Sequence, residues 1–178
     1  LRRQRQMCIR DSTYVLTGAG SGIGRLVAER LHARGDTLIL IARDDRRAAD
    51  LTAAFPGAVA VASDLADPTA LADAVAAALP EAIDGIVHAA GIVELGTVAE
   101  LPVDAWTSQL TVNLVAPAEL TRLLLPRGRA ARGQVVFVNS GAGLTAHAGW
   151  AAYAASKHGL KALADALRSD CLLYTSPS

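Results

Sequence analysis

A chain of 178 residues with 52% hydrophobic and 19% charged residues is long enough for one domain with a sizeable core and excludes a disordered segment. Lys plus Arg and Asp plus Glu balance at 17 each, so the formal net charge is zero and no basic field points to nucleic acid. The longest apolar runs, such as 38–42 and 135–138, are far too short to span a bilayer, and the Arg-rich start lacks the apolar stretch of a signal peptide. No membrane partner is expected, and a cytoplasmic location is the default.

In chain order, residues 1–12 (LRRQRQMCIRDS) come first and differ in composition from the Ala, Val, Leu, Gly and Asp alternation that follows. Strands are expected over 13–17, 37–41, 58–62, 85–89 and 134–139, and helices over 22–34, 44–54, 68–79, 102–125 and 149–168. Asp67 and Pro68 read as the N-cap and first position of the third helix. Pro117 should kink or interrupt the fourth, because proline removes a backbone donor and clashes with the preceding turn. Short β-branched runs alternating with longer amphipathic ones are the sign of βαβ units, a parallel sheet and the α/β class. A single domain over 13–170 is expected. Residues 171–178 (CLLYTSPS) again break the composition, so both ends read as non-native adapter-like segments or as frayed native termini. Cys8 and Cys171 fall in those ends, and neither a metal cluster nor a disulfide framework is readable.

Two local features carry chemistry. The turn Thr17-Gly18-Ala19-Gly20-Ser21-Gly22-Ile23-Gly24 directly follows the first strand and opens the first helix. A glycine cluster by itself is often only a flexible turn. Between strand and helix, it lets backbone amides and the positive end of the helix dipole meet a pyrophosphate, which points to dinucleotide binding. Farther on, Tyr153 and Lys157 stand one helical turn apart and share a face. A phenol titrates near pH ~10 in water, and an adjacent ammonium favours its anion, so such a pair suits acid/base work. Ser140 lies upstream, just after an apolar strand.

Together these motifs resemble the classical short-chain dehydrogenase/reductase family, and the likeness runs from Thr13 to about Arg168. The spacing Thr-Gly-x-x-x-Gly-x-Gly favours the classical branch over the extended epimerase and dehydratase branch. The resemblance implies a Rossmann-like, doubly wound parallel sheet with helices on both faces, here lacking its last strands. It implies catalytic roles for Asn113, Ser140, Tyr153 and Lys157. Tyr153 would pass a proton to or from the substrate oxygen, Lys157 would lower its pKa and hold the nicotinamide ribose, Ser140 would hydrogen-bond the carbonyl oxygen, and Asn113 would help anchor a water. Cofactor contacts are implied for Gly18, Gly20, Ser21, Gly22, Ile23, Gly24, Asp64, Leu65, Ala89, Ala90 and Gly91, besides Tyr153 and Lys157. His88 departs from the family's usual asparagine and is read as structural.

The second strand ends Ala42-Arg43-Asp44-Asp45. An acid there binds the ribose hydroxyls of NAD, whereas an arginine accommodates a 2′-phosphate. In the family this arrangement favours NADP(H), with Arg43 facing the phosphate and NAD(H) as the alternative. Asp44 and Asp45 are equally well explained by the dipole of the next helix, and Arg46 and Arg47 by a solvated face. The expected function is hydride transfer between nicotinamide and a small-molecule carbonyl or secondary alcohol. The alternatives are a catalytically incompetent fragment and a dinucleotide-binding regulatory protein on the same fold. Pocket residues 91–96 and 141–150 imply a partly apolar site, and His147 either touches the substrate or, as is commoner for a loop histidine, is merely exposed. In the family the helices near 102–125 and 149–168 make subunit contacts, so a homodimer or homotetramer is expected.

Overall fold

Five parallel strands form one sheet in the order β3-β2-β1-β4-β5 in the computed structural model, which describes residues 12–76 and 78–175. They are β1 (Thr13–Thr17), β2 (Thr37–Ala42), β3 (Val59–Ala62), β4 (Gly85–His88) and β5 (Gln134–Phe137). Register places the C-terminal residue of β1, Thr17, between Ile41 of β2 and His88 of β4. The strand order reverses on either side of β1, and at such a switch point the loops leaving adjacent strands diverge and open a crevice at the carboxyl ends.

Period-two alternation divides the apolar side chains between two cores. Val15, Ile39, Ile41 and Ile86 face one side, where Leu71 and Val75 of α3 (Leu71–Ala76) and Ala116, Leu120 and Leu124 of α5 (Ala116–Ala131) pack on them. Leu16, Leu38, Leu40, Ala42 and Val87 face the other, against Ala28 of α1 (Gly22–Ala33) and Leu51 of α2 (Asp45–Ala54), with Phe55 just after it. Both faces of the central strands β2, β1 and β4 are therefore buried, which is why these strands read as continuous apolar runs, whereas Val59 on β3 and Val136 on β5 stay exposed. Two further helices, α4 (Val103–Leu110) and α6 (Ala151–Thr175), pack against each other.

The parallel sheet and its helix-bearing faces agree with the sequence expectation, and the differences have local causes. The single helix expected over 102–125 is α4, a π-helical turn (Thr111–Val115) and then α5, which continues past Pro126 to Ala131. Pro117 cannot donate to the Asn113 carbonyl, and one residue earlier the Ala116 amide reaches back to Thr111, closing the wider turn. The expected helix over 68–79 starts as a 3₁₀ turn, Pro68–Ala70, capped by Asp67 accepting from the Thr69 amide at 3.1 Å, and α3 follows over Leu71–Ala76. Helix α6 runs to Thr175, so it passes the composition break at Cys171, while residues 1–11 and 176–178 lie outside the described residues. Ser12 is already in place, its carbonyl accepting from the Thr37 amide at 2.9 Å.

Candidate active site

The turn after β1 is held by two close backbone approaches. Gly18 has φ +75°, and a Cβ there would lie 2.6 Å from the Ala90 nitrogen; one on Gly24 would overlap the Gly18 carbonyl. Thr17 supplies the complementary tie, its Oγ1 accepting from the amides of Ala89 at 3.2 Å and Ala90 at 3.1 Å. The glycine turn and the Ala89-Ala90-Gly91 loop are thereby set side by side. Helix α1 opens from Ser21 with no side-chain cap and no acid in its first turn, so its leading amides face the crevice unanswered by protein charge.

That crevice encloses about 560 Å³, within the range of small-molecule sites. Its walls include Gly18, Gly20, Ser21, Gly22, Ile23, Arg43, Asp64, Leu65, Ala89, Ala90 and Gly91, all of the cofactor contacts expected from the sequence apart from Gly24, Tyr153 and Lys157. Gly24 is buried under the turn and serves helix packing. A Cβ on Gly20 would meet no protein atom, so its glycine is required by nothing within the fold and leaves the crevice open for a ligand. The Ser63 hydroxyl, buried beside Asp64, has no hydrogen-bond partner among the described residues. An uncapped helix start, open glycine backbone and an unanswered hydroxyl along one cleft fit a dinucleotide.

At the end of β2, Asp44 caps α2 by accepting from the Arg47 amide at 2.8 Å, and that bond, ahead of its Arg43 partner, holds the carboxyl below its ordinary range. The same carboxylate lies 3.6 Å from Arg43 Nε and 3.8 Å from Arg47 Nε. Arg47 lines the crevice with Arg43, and Asp50 and Arg25 also border it. Arg47 is exposed, in line with the solvated face expected for it, and in addition borders the crevice. It follows Arg43 by four residues, around the capped start of α2.

Four elements converge on the other end. Lys157 on α6 is buried, and its Nζ donates to the Val138 carbonyl at 3.1 Å. Burial pushes the lysine pKa below its ordinary value. Val138 and Gly91 border the crevice, and a Cβ on Gly91 would lie 3.7 Å from the Lys157 Nζ. The ammonium thus stands at the crevice wall. It lies 6.0 Å from the centre of the Tyr153 ring, whose other neighbour is Trp150, edge-on at 6.0 Å. His147, exposed as expected, contacts Trp150 from the far side at 5.8 Å. Ser140 begins a short 3₁₀ turn, its Oγ accepting from the Ala142 amide at 3.2 Å. That bond uses a lone pair and leaves the hydroxyl proton free to be donated.

Asn113 is buried in the π turn and does not itself line the crevice. Its amide grips the Ile92 backbone, accepting from the nitrogen and donating to the oxygen at 2.8 Å each, and donates to Ser156 Oγ at 3.0 Å. Ser156 in turn donates to the Tyr153 carbonyl at 2.7 Å. Asn139 ties the end of β5 to α6 through the Lys157 carbonyl at 3.2 Å, and accepts from the Ser140 amide at 2.9 Å. Thr17, Ser63, Gln109, Asn139 and Ser156 are site-building residues that the sequence reading left without a role. For Gln109 a signal existed, since it is a polar residue whose helix otherwise buries only Ala105. His88 is structural, as read: its Nε2 lies 2.9 Å from Thr121 Oγ1 and its ring stacks on Phe137 at 4.8 Å.

Comparison with known proteins sets this geometry in context. The family model for short chain dehydrogenase matches residues 12–174. The mouse protein "Dehydrogenase/reductase SDR family member 7B" is 33% identical over 173 residues, covering 91% of this chain and 54% of the relative. The chain therefore spans about half the length of that curated relative. A crystal structure of a short-chain dehydrogenase from Streptomyces avermitilis superposes with a TM-score of 0.82 at 34% identity, covering 92% of this chain and 62% of the other. A short chain dehydrogenase from Escherichia coli CFT073, solved in complex with NADPH, gives 0.80 at 29% identity over 90% and 71%.

Proposed function

The chain belongs to the short-chain dehydrogenase family, a family of oxidoreductases, and from that premise we propose that it serves NADP(H)-dependent hydride transfer between nicotinamide and a small carbonyl compound or secondary alcohol. The observation that carries this reading is the approach of the Lys157 ammonium to the wall of the glycine-turn crevice while Tyr153 stands one turn away on the same helix. A bound nicotinamide cofactor supplies the hydride.

The protein's own residues supply the rest. The amides that open α1, with Gly20 and Gly22, bind the pyrophosphate. Tyr153 gives a proton to the carbonyl oxygen as reduction proceeds, or takes it from the alcohol in the reverse direction. Its hydroxyl makes no hydrogen bond to any described residue, so it is uncommitted. Lys157, positively charged and desolvated, stabilises the phenolate and holds the ribose. Ser140 donates its free proton to the same carbonyl oxygen, a contact worth up to ~3 kcal/mol in the transition state. Asn113 acts by holding the Gly91–Ile92 backbone and, through Ser156, the turn of α6 that bears Tyr153. The NADPH-bound Escherichia coli relative supports NADPH, as does Arg43. Exposed Val93, Leu95 and Leu144 near the loops at this end support an apolar substrate.

The test is a pair of measurements. Titration with NADPH and NADH, followed by nicotinamide fluorescence, should show binding with NADPH preferred. Tyr153→Phe should then lower ketone reduction by about 10²- to 10⁴-fold while leaving cofactor affinity unchanged. Equal turnover by both proteins would refute the acid/base assignment.

A further inference from the structure

We propose that Gln109 is a positioning residue for the substrate side of the crevice: with Asn113 it forms a two-rung ladder of side-chain amides that fixes the backbone of residues 92–94. The proposal deepens the oxidoreductase reading and rests on it.

Residues 91–95 belong to no strand or helix, so their backbone groups need partners from elsewhere. At Ile92 both come from Asn113. At Glu94 both come from Gln109, whose Oε1 accepts from the nitrogen and whose Nε2 donates to the oxygen, each at 3.1 Å. Each amide thus offers one residue the donor and acceptor that an antiparallel strand would offer it. The next alternate residue, Gly96, donates to the Gly149 carbonyl at 2.7 Å and bridges to Trp150. Residues 92, 94 and 96 are therefore tied in succession, the first two to a helix and the third to the loop before α6.

The spacing explains why one helix serves two rungs. Four helical residues rise about 6 Å, and two extended residues advance about 6.6 Å. In a pure α-helix, positions 109 and 113 would diverge by about 40° around the axis. The widened π turn that contains Asn113 winds more slowly and turns the two amides back toward one line. Gln109 is 1% exposed, as is Asn113. A buried glutamine needs only some partner, and the Ala105 carbonyl one turn back would serve; that bond is present but is the longest of the three, at 3.3 Å. The two shorter ones go to Glu94.

What the ladder holds matters for the chemistry. Ile92 borders the cofactor crevice, Val93 and Leu95 are exposed on the same segment, and Gly96 meets Trp150, which packs on Tyr153. Freeing Glu94 would let the apolar wall move relative to Tyr153 while the glycine turn stays in place.

Three proteins, each the whole chain, test this: wild type, Gln109→Met and Gln109→Glu. Methionine keeps the length and loses both bonds. Amide exchange at Glu94 should rise about tenfold in Gln109→Met while exchange at Ile92 stays within about twofold. KM for an apolar ketone should rise severalfold, with kcat and NADPH affinity little changed. In Gln109→Glu the rung returns only when the carboxyl is protonated and its O–H can donate to the Glu94 carbonyl, so the KM defect should shrink as pH falls from about 8 to 5. Unchanged Glu94 exchange, or a defect confined to NADPH affinity, overturns the proposal. Absence of any turnover in wild type would count against the oxidoreductase reading alone, because the exchange comparison decides the ladder without it.

Discussion

Arg43 and Arg47 share a single carboxylate, that of Asp44, which is already engaged as the cap of α2. An acid occupied in this way is a poor receptor for ribose hydroxyls, while two guanidinium groups at the crevice rim suit a phosphate. Arg43→Ala should therefore weaken NADPH binding by roughly ten- to hundredfold and leave NADH nearly unchanged. Arg47→Ala should give a smaller loss of the same selectivity. Equal loss for both nucleotides in a fluorescence titration would mean that the arginines serve the fold and not the 2′-phosphate. Arg43 was legible from its place at the end of an apolar strand. Arg47 was not, because only the turn of chain around Asp44 brings it back to the rim.

The junction of β1 with α1 is an element-scale device. Gly24 sits in the first turn of α1 with no space between it and the Gly18 carbonyl, so helix and turn touch backbone to backbone. Gly24→Ala should push α1 away from the turn, lowering stability by roughly 1–3 kcal/mol and weakening both nicotinamide nucleotides alike. Urea unfolding and the same titration would check it, and an unchanged midpoint with unchanged affinity would refute it. The glycine spacing made this turn readable because the residues that shape it, Thr17 to Gly24, are consecutive, whereas its ties to Ala89 and Ala90 were not readable. The interruption of the long helix was readable too, from Pro117, but not its form. A proline dictates that a donor is missing; whether the chain kinks, breaks or widens into a π turn depends on what packs around it, here the Ile92 backbone and Ser156.

For the molecule as a whole, His88 couples stability to pH. Burial lowers its pKa from 6.5 to about 3, so between those values the unfolded chain binds a proton that the folded one does not. Stability from this group is then complete above about pH 6.5 and is lost as pH falls, by about 2 kcal/mol at pH 5. His88→Asn should remove that part of the acid dependence, read as the difference in urea stability between pH 7 and 5; identical dependence in both proteins would exclude His88 as its source. The ring also joins β4 to α5 through Thr121 and to β5 through Phe137, contacts no local pattern announces. What the linear chain determined alone were features decided by near neighbours: strand and helix alternation, the glycine turn, the Asp67 cap, and the one-turn spacing of Tyr153 and Lys157. What required the folded chain were the strand order and the hydrogen bonds that join distant segments. Thr17 reaches Ala90 across 73 positions, Asn113 reaches Ser156 across 43, and Gln109 reaches Glu94 across 15. A propensity or a period acts within one turn or one strand, whereas these bonds exist only because packing two cores on one sheet brings remote backbone into reach and leaves it needing partners.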